Sequence, residues 1–350
     1  NMRESLYEGN SSLHATANNN IFRPPNPPRK NVRASQTIRK PENQAAPRML
    51  FPSDISPKEE GRRSWQQEDL FEMIPFARPV GTESETHGDA STTMNIMTTL
   101  ANGVSALCAY KCQDALSCFA RLPKTQYETP FVYSCVGRCY LELNMFSRAE
   151  LAFEHALELD PCYLQNVAEL YSTVLWHMKK EIALTELAHH CVSVDDSCAS
   201  TWCVVGNCMS LHRETDSALM FFKRAYERDA FCAYAHTLAG HEYVMKEDFD
   251  MALQEYHQAL AIDPRHYNAL YGIGHVHLRK EQFVESQRYF KRALEINPRS
   301  ATLHYHLGNA YAMSMNLDDA LQELDIATLL DPRNPIAQFE KSRVLLLLNR

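Results

Sequence analysis

From residue 96 to the end of the chain, small and aromatic residues recur at a fixed interval. Glycines stand 34 residues apart in two runs, and twelve residues after each comes a small residue, with an aromatic residue or leucine four residues later. The glycines are Gly103, Gly137, Gly206, Gly240, Gly274 and Gly308; the small residues are Ala115, Ala149, Ala218, Ala252, Ser286 and Ala320; the bulky residues are Phe119, Phe153, Phe222, Tyr256, Phe290 and Leu324. A spacing of four residues keeps two side chains on one face of an α-helix. The pattern therefore predicts a helical repeat.

Two antiparallel helices per repeat explain the interval. A glycine in the first helix and a small residue in the second allow the two helices to pack closely. The bulky residue one turn after the small residue fills the space that remains between them. Pro264, Pro298 and Pro332, also 34 residues apart, stand where each unit ends, because proline cannot continue a helix. This combination resembles the tetratricopeptide repeat (TPR) pattern.

We therefore predict an all-α fold, a TPR superhelical solenoid, over residues 93–350, with about 7.5 helix-turn-helix repeats. The repeats are expected to start near residues 96, 130, 165, 199, 233, 267, 301 and 335, with the last one truncated. The third repeat is atypical because Ser172 replaces the glycine and Ala183 follows after eleven residues, which predicts a turn one residue short and a longer link after it. The chain reads as a fragment at both ends.

Residues 1–92 follow no helical or strand period and hold ten of the 17 prolines. Such a segment buries too little apolar surface to offset its chain entropy, so we predict a disordered, proline-rich and basic linker. Its basic part suits a docking arm or a solvated linker. Ser56, followed by Pro57, is a possible phosphorylation site.

Charge and composition exclude several classes of function. The net charge of −8 falls entirely on residues 93–350, which argues against a nucleic-acid partner, and no apolar run reaches the length of a membrane span. Eleven cysteines form no C-x-x-C pair, so we expect reduced packing cysteines and no metal site or cofactor. Without a phosphate-binding loop, a G-x-S-x-G or an H-E-x-x-H motif, we predict no catalytic residues and no enzyme activity.

The first helices of a TPR solenoid line its concave surface, which makes their polar residues candidate ligands for an extended peptide. Positions 2, 5 and 9 of these helices share one face. The predicted groove residues, which carry amide, imidazole and phenol groups, are Asn207, Tyr234, Thr237, His241, Asn268, Tyr271, His275, Tyr305 and Asn309. The alternative is a solvated inner wall without a ligand.

Several segments outside the repeat consensus carry a closer resemblance. Tyr171–His177 (Tyr-Ser-Thr-Val-Leu-Trp-His), Trp202–Cys208 (Trp-Cys-Val-Val-Gly-Asn-Cys) and Gly240–Tyr243 resemble the TPR scaffold subunits of the anaphase-promoting complex, of the cell division cycle 27 or third-subunit type. The resemblance implies a non-catalytic scaffold of a cell-cycle ubiquitin ligase, in the nucleus and cytoplasm. Its groove would bind C-terminal Ile-Arg tails of coactivators, and the groove residues above are the candidates.

The same resemblance implies contacts with other subunits of that complex, and a homodimer formed through N-terminal repeats that this chain lacks. It also gives phosphorylation of the linker a role in recruiting coactivators. Two alternatives stay open: a generic TPR adaptor of the co-chaperone kind, which needs a cationic clamp for acidic tails, and an enzyme with a TPR arm.

Overall fold

A computed structural model of the protein describes residues 90–348, and every regular element within them is helical. The helices are α1 (Ala90–Cys108), α2 (Cys112–Phe119), α3 (Lys124–Tyr127), α4 (Pro130–Glu142), α5 (Phe146–Leu159), α6 (Leu164–His177), α7 (Glu181–Val194), α8 (Ala199–Leu211), α9 (Thr215–Arg228), α10 (Ala233–Met245), α11 (Phe249–Ile262), α12 (Tyr267–Arg279), α13 (Phe283–Ile296), α14 (Ala301–Met313), α15 (Leu317–Leu330) and α16 (Pro335–Leu347). A single 3₁₀ turn, Pro161–Tyr163, precedes α6. Residues 1–89 of the predicted linker, including Ser56, lie outside the described residues, and its last three residues, 90–92, form the start of α1 instead.

Consecutive helices pack as antiparallel pairs, so the predicted TPR solenoid is confirmed. We call the first helix of each pair helix A and the second helix B. The helices A are α1, α4, α6, α8, α10, α12, α14 and α16, and each except α16 is followed by its helix B. In the first pair α1 begins at Ala90, and helix B is the short α2, which the small helix α3 follows.

Six of the seven pairs are held by the contact that the sequence pattern predicts. Phe153 and Phe222 are fully buried against the glycine side of their helix A. A Cβ atom placed on Gly206 would lie 2.2 Å from the Phe222 ring, and one on Gly137 would lie 2.7 Å from Phe153. No side chain larger than hydrogen fits there without moving the ring.

The turns between paired helices share one conformation. Each has three residues, and the middle one is left-handed, with φ between 54° and 63°. After α10, for example, the Glu247 amide donates to the Val244 carbonyl at 3.1 Å and the Asp248 amide to the Tyr243 carbonyl at 2.9 Å. This is the Schellman arrangement, which satisfies the last carbonyls of a helix.

The third repeat differs from the prediction made for it. Its turn, residues 178–180, and the link that follows, residues 195–198, have the same lengths as those of other repeats. The additional residue lies in helix A instead, because α6 has 14 residues where α8 has 13. Counted from the turn, Leu184 rather than Ala183 takes the small-residue position, and it is fully buried.

The helices A form the inner layer of the solenoid. Each contacts the next, in the order α4, α6, α8, α10, α12, α14 and α16, whereas helices B chiefly contact the helices A on either side. In a curved stack the layer whose members lie closer together is the concave one. No helix in this described part is long and apolar enough to cross a membrane.

The curvature brings distant repeats into contact. Tyr267, at the start of α12, donates a hydrogen bond to Glu142 at the end of α4 at 2.7 Å, and the Asn297 amide donates to the same carboxylate at 3.2 Å. The Tyr110 ring packs edge-on against Tyr267, with ring centroids 5.1 Å apart. The first two repeats thus close against the sixth across 125 residues of sequence.

Candidate peptide-binding surface

The predicted groove residues lie on helices α8, α10, α12 and α14, along the inner layer. We call this surface the helix-A face. Four of the nine side chains are buried, and the other five are partly exposed and accessible to a ligand. The buried set is Asn207, Thr237, His275 and Asn309; the partly exposed set is Tyr234, His241, Asn268, Tyr271 and Tyr305.

At the N-terminal end of the helix-A face, hydrogen bonds join the third, fourth and fifth repeats. The Asn207 amide donates to the Ser172 hydroxyl at 2.9 Å, and the Tyr234 hydroxyl is hydrogen-bonded to Thr173. Tyr234 also donates to the Glu169 carbonyl at 3.4 Å. Asn207 and Tyr234 therefore connect repeats as well as facing the interior.

Toward the C-terminal end, histidines and tyrosines form an aromatic wall made of two groups of contacting rings. His241 Nδ1 lies 2.7 Å from the Tyr256 hydroxyl, and His306 Nε2 lies 3.0 Å from the Tyr271 hydroxyl. The His306 ring lies within 5.9 Å, centroid to centroid, of the His275 and Tyr271 rings. The structure thus brings Tyr271 and His275 together and adds His306 to them.

The imidazoles of this wall are neutral at neutral pH. Burial lowers the pKa of His241 and of His275 to about 4, and the neighbouring histidines add to the effect on His241. Desolvation lowers the pKa of His177, at the end of α6, to about 4 as well.

Carboxylates lie on the layer of helices A, and Arg138 lies near one of them, Glu142. Burial raises the pKa of Glu142 and of Glu169, and Asp229 adds to the effect on Glu169. The hydroxyl of Tyr305, on the same face, has a pKa raised to about 12 by burial. The helix-A face therefore offers neutral hydrogen-bonding groups and aromatic rings beside carboxylates.

Sequence reasoning missed Glu169 and Thr173 because the third repeat was set aside as atypical. When Ser172 is counted as position 8 of its repeat, Glu169 falls at position 5, like Cys203 in the next repeat. Thr173 then falls at position 9, like Asn207. His306 was missed for another reason: its repeat position holds Gly272 and Leu238 in the preceding repeats.

One group of three potential metal ligands occurs in the described part of the chain. The carboxylate of Glu169 and the thiols of Cys203 and Cys232 lie within 4.8 Å of one another. The sequence analysis predicted no metal site because it could not show that these residues lie close together: 34 residues separate Glu169 from Cys203, and 29 separate Cys203 from Cys232.

Comparison with known proteins agrees with the helix pairing. Family models described as TPR or tetratricopeptide repeats match residues 136–161, 240–281 and 277–339. They match the second repeat and the fifth to seventh, where the glycine and aromatic spacing is regular.

Curated relatives are similar to less than half of this chain. "Protein bimA" of Emericella nidulans is 44% identical over 148 residues, which cover 42% of this chain and 18% of the relative. "Cell division cycle protein 27 homolog B" of Arabidopsis thaliana is 41% identical over 150 residues, 43% of this chain and 20% of the relative. "Anaphase-promoting complex subunit 3" of Schizosaccharomyces pombe is 37% identical over 154 residues, which cover 44% of this chain and 23% of the relative. The chain thus matches only about a fifth of the length of these relatives.

Proposed function

We propose that this chain, a tetratricopeptide-repeat protein whose repeats are of the cell division cycle 27 and anaphase-promoting complex subunit 3 type, belongs to a non-catalytic scaffold of that complex, a cell-cycle ubiquitin ligase. The proposal is supported by identities of 37–44% to relatives with those names and by the TPR packing of the described helices. A solenoid suits this role because it offers a long surface to several partners at once.

We further propose that the helix-A face binds the extended C-terminal tails of coactivators, which end in Ile-Arg. The observation that carries this proposal is the row of partly exposed side chains on helices A, four of them rings and one an amide: Tyr234, His241, Asn268, Tyr271 and Tyr305. Aromatic side chains supply contact area for the isoleucine, and amides and hydroxyls suit the peptide backbone.

Electrostatics favours a tail that carries a cation. The histidines of the face are uncharged, while the carboxylates of Glu142 and Glu169 lie on the same layer of helices A. An arginine side chain therefore meets complementary charge. A generic adaptor for acidic tails would need lysines or arginines where this face has neutral imidazoles and phenols.

Membership of the complex is tested by purification of the tagged full-length protein from dividing cells. We expect other subunits of the anaphase-promoting complex to co-purify in stoichiometric amounts, identified by mass spectrometry. Recovery of chaperones with acidic C-terminal tails in their place would support the generic adaptor and refute the proposal.

Tail binding is tested by fluorescence anisotropy with a labelled peptide that ends in Ile-Arg. Asn268→Arg places a cation on the helix-A face, and we expect it to weaken binding about tenfold, or roughly 1.4 kcal/mol. Gln254→Arg makes the same change of charge at an exposed site on α11 and serves as the matched control. Equal affinities for both variants, or tighter binding of a tail ending in Glu, would contradict the proposal.

Three further properties are proposed on the resemblance alone. The full-length protein would form a homodimer through repeats that precede residue 1, and it would act in the nucleus and cytoplasm. Phosphorylation of Ser56 would promote coactivator recruitment. Substitution of Ser56 and other Ser/Thr-Pro sites by alanine in the full-length protein, followed by measurement of coactivator binding in mitotic extract, tests the last of these.

A further inference from the structure

Two thiols and one carboxylate meet at the junction of the third, fourth and fifth repeats. Glu169 lies on α6, Cys203 on α8, and Cys232 directly before α10. Their Oε and Sγ atoms lie within 4.8 Å of one another, and Cys203 is fully buried. Glu169 and Cys203 occupy the same position in consecutive helices A, so the solenoid itself aligns them.

The donor set matches the preferences of one metal class. Thiolates select zinc and other soft ions, whereas calcium and magnesium prefer oxygen ligands. In tetrahedral zinc sites the metal–sulfur distance is about 2.3 Å, which separates two thiolates by roughly 3.8 Å. The two sulfur atoms, at most 4.8 Å apart, exceed that separation by no more than about 1 Å, which small side-chain rotations can close.

The surroundings also fit a cation better than an ordinary packing contact. Cys232 is the N-cap residue of α10 and makes no side-chain capping bond there, and its thiol is paired with Cys203 instead. The carboxylate of Glu169 is desolvated, and Asp229 adds a second negative charge nearby. A desolvated carboxylate near a second negative charge is unfavourable unless a cation lies beside it.

We propose that Glu169, Cys203 and Cys232 bind one Zn²⁺ ion, with water as the fourth ligand. On binding, each thiol releases its proton to solvent and coordinates as a thiolate. The ion then connects three consecutive repeats directly beside Tyr234, which contacts the Glu169 carbonyl. The zinc proposal does not rest on the proposed function, but both use the Glu169 carboxylate, so with the ion bound the charge for a cationic tail comes from Glu142.

The experiment uses the reduced full chain, titrated with Zn²⁺ alone in competition with a chromophoric chelator. Removing a residue that only hydrogen-bonds to a metal ligand typically weakens metal binding about 10- to 100-fold. Cys203→Ser and Cys232→Ser each remove a direct ligand, so each should weaken Zn²⁺ binding at this site at least tenfold. Titration with Co²⁺ should give thiolate-to-metal charge-transfer bands and the visible bands of tetrahedral cobalt, and both should vanish in the same variants.

Two controls separate this site from the other thiols. Cys208→Ser removes a second buried thiol from α8, and Cys162→Ser removes an exposed one; both should bind the metal as the unaltered chain does. Glu169→Gln changes a partly exposed residue, so it tests the third ligand with little risk to folding, which circular dichroism checks. It should weaken Zn²⁺ binding about tenfold or more.

Either of two results would overturn the proposal. One is identical Zn²⁺ affinity and an identical Co²⁺ spectrum in the unaltered chain and in Cys232→Ser. The other is a Cys203–Cys232 disulfide in protein extracted from cells after immediate blocking of free thiols, detected by peptide mass spectrometry.

Discussion

At the level of single residues, the fold depends on a size match across each helix pair. Gly206 faces Phe222, and Gly137 faces Phe153, with no room for a Cβ atom. In the third repeat, other residues fill the space between the paired helices. Ser172 stands at the glycine position, and Ala188 stands at the position of the aromatic ring. The larger residue in helix A is thus compensated by a smaller one in helix B.

This compensation predicts coupling between the two positions in the fourth repeat. Gly206→Ser alone should destabilise the protein by about 1–3 kcal/mol because the added atoms clash with the Phe222 ring. Phe222→Ala alone should cost about 3–5 kcal/mol because it leaves a cavity. The double variant copies the third repeat at these two positions only, because Ala218 stays where the third repeat has Leu184. Its total cost should be at least about 1 kcal/mol below the sum of the two single costs. Urea unfolding of the four proteins measures this, and strictly additive costs would contradict the size match.

His306 predicts a dependence of stability on pH. Burial lowers its pKa to about 3, with His275 adding to the effect, so the folded state keeps the imidazole neutral. An unfolded histidine has a pKa near 6.5, and the unfolded chain therefore binds the proton first as the pH falls below that value. His306 thus stabilises the fold at pH 7, and this contribution is lost as the pH falls from about 6.5 toward its folded pKa, by about 1–2 kcal/mol between pH 7 and pH 5.

Urea unfolding at pH 7 and pH 5 tests this expectation. His306→Leu cannot take up a proton, so its stability should fall less between the two pH values than that of the unaltered chain. His257→Leu, which replaces an exposed histidine on α11, is the matched control. If both variants show the same loss of stability as the unaltered chain, His306 is not the group responsible.

At the level of helices, the periodic part of the sequence predicts the pairs well and the third repeat poorly. The 34-residue interval locates the helix pairs in the regular repeats because each recurrence reports the same packing contact. In the third repeat, Ala183 fits the small-residue position by type, but Leu184 occupies it in the structure. The sequence alone cannot distinguish an additional residue in the helix from one lost in the turn, because both shift the same alanine.

The left-handed residue in each turn predicts which substitutions stabilise the solenoid. Met315 has φ of 63° and is 71% exposed, so its side chain costs backbone energy and contributes little packing. Met315→Gly should raise the stability by about 0.5–1 kcal/mol, because glycine adopts this conformation without a Cβ clash.

Asn144→Gly provides the comparison for this prediction. Asn144 has φ of 57°, and asparagine tolerates the left-handed region better than methionine does. We expect a gain in thermal midpoint for Met315→Gly and a smaller one for Asn144→Gly. A loss of stability in Met315→Gly would show that the methionine makes a contact that outweighs its backbone cost.

At the level of the whole molecule, the least predictable features are contacts between repeats that are far apart in sequence. Helical periodicity identifies the face on which Tyr267 and Tyr271 lie, and it placed the candidate groove residues on helix A correctly. It does not specify the superhelical curvature, which results from small rotations accumulated over successive repeats. The contact of Glu142 with Tyr267 and Asn297 depends on that curvature, and so does the desolvation of the interior histidines.

That contact predicts how the solenoid would open. Glu142→Ala removes the acceptor shared by Tyr267, which is partly buried, and Asn297, which is buried, and the loss should cost about 1–3 kcal/mol. Glu142→Gln keeps an acceptor oxygen in a side chain of similar shape, and it avoids burying a charge, so it should retain the closed arrangement. Because each repeat contacts chiefly its neighbours, the loss should separate the second repeat from the sixth without unfolding either one. In Glu142→Ala, we therefore expect a larger radius of gyration by X-ray scattering and faster amide exchange at the start of α12, with unchanged helix content. Unchanged scattering and exchange in Glu142→Ala would mean that the curvature is fixed by neighbouring repeats alone.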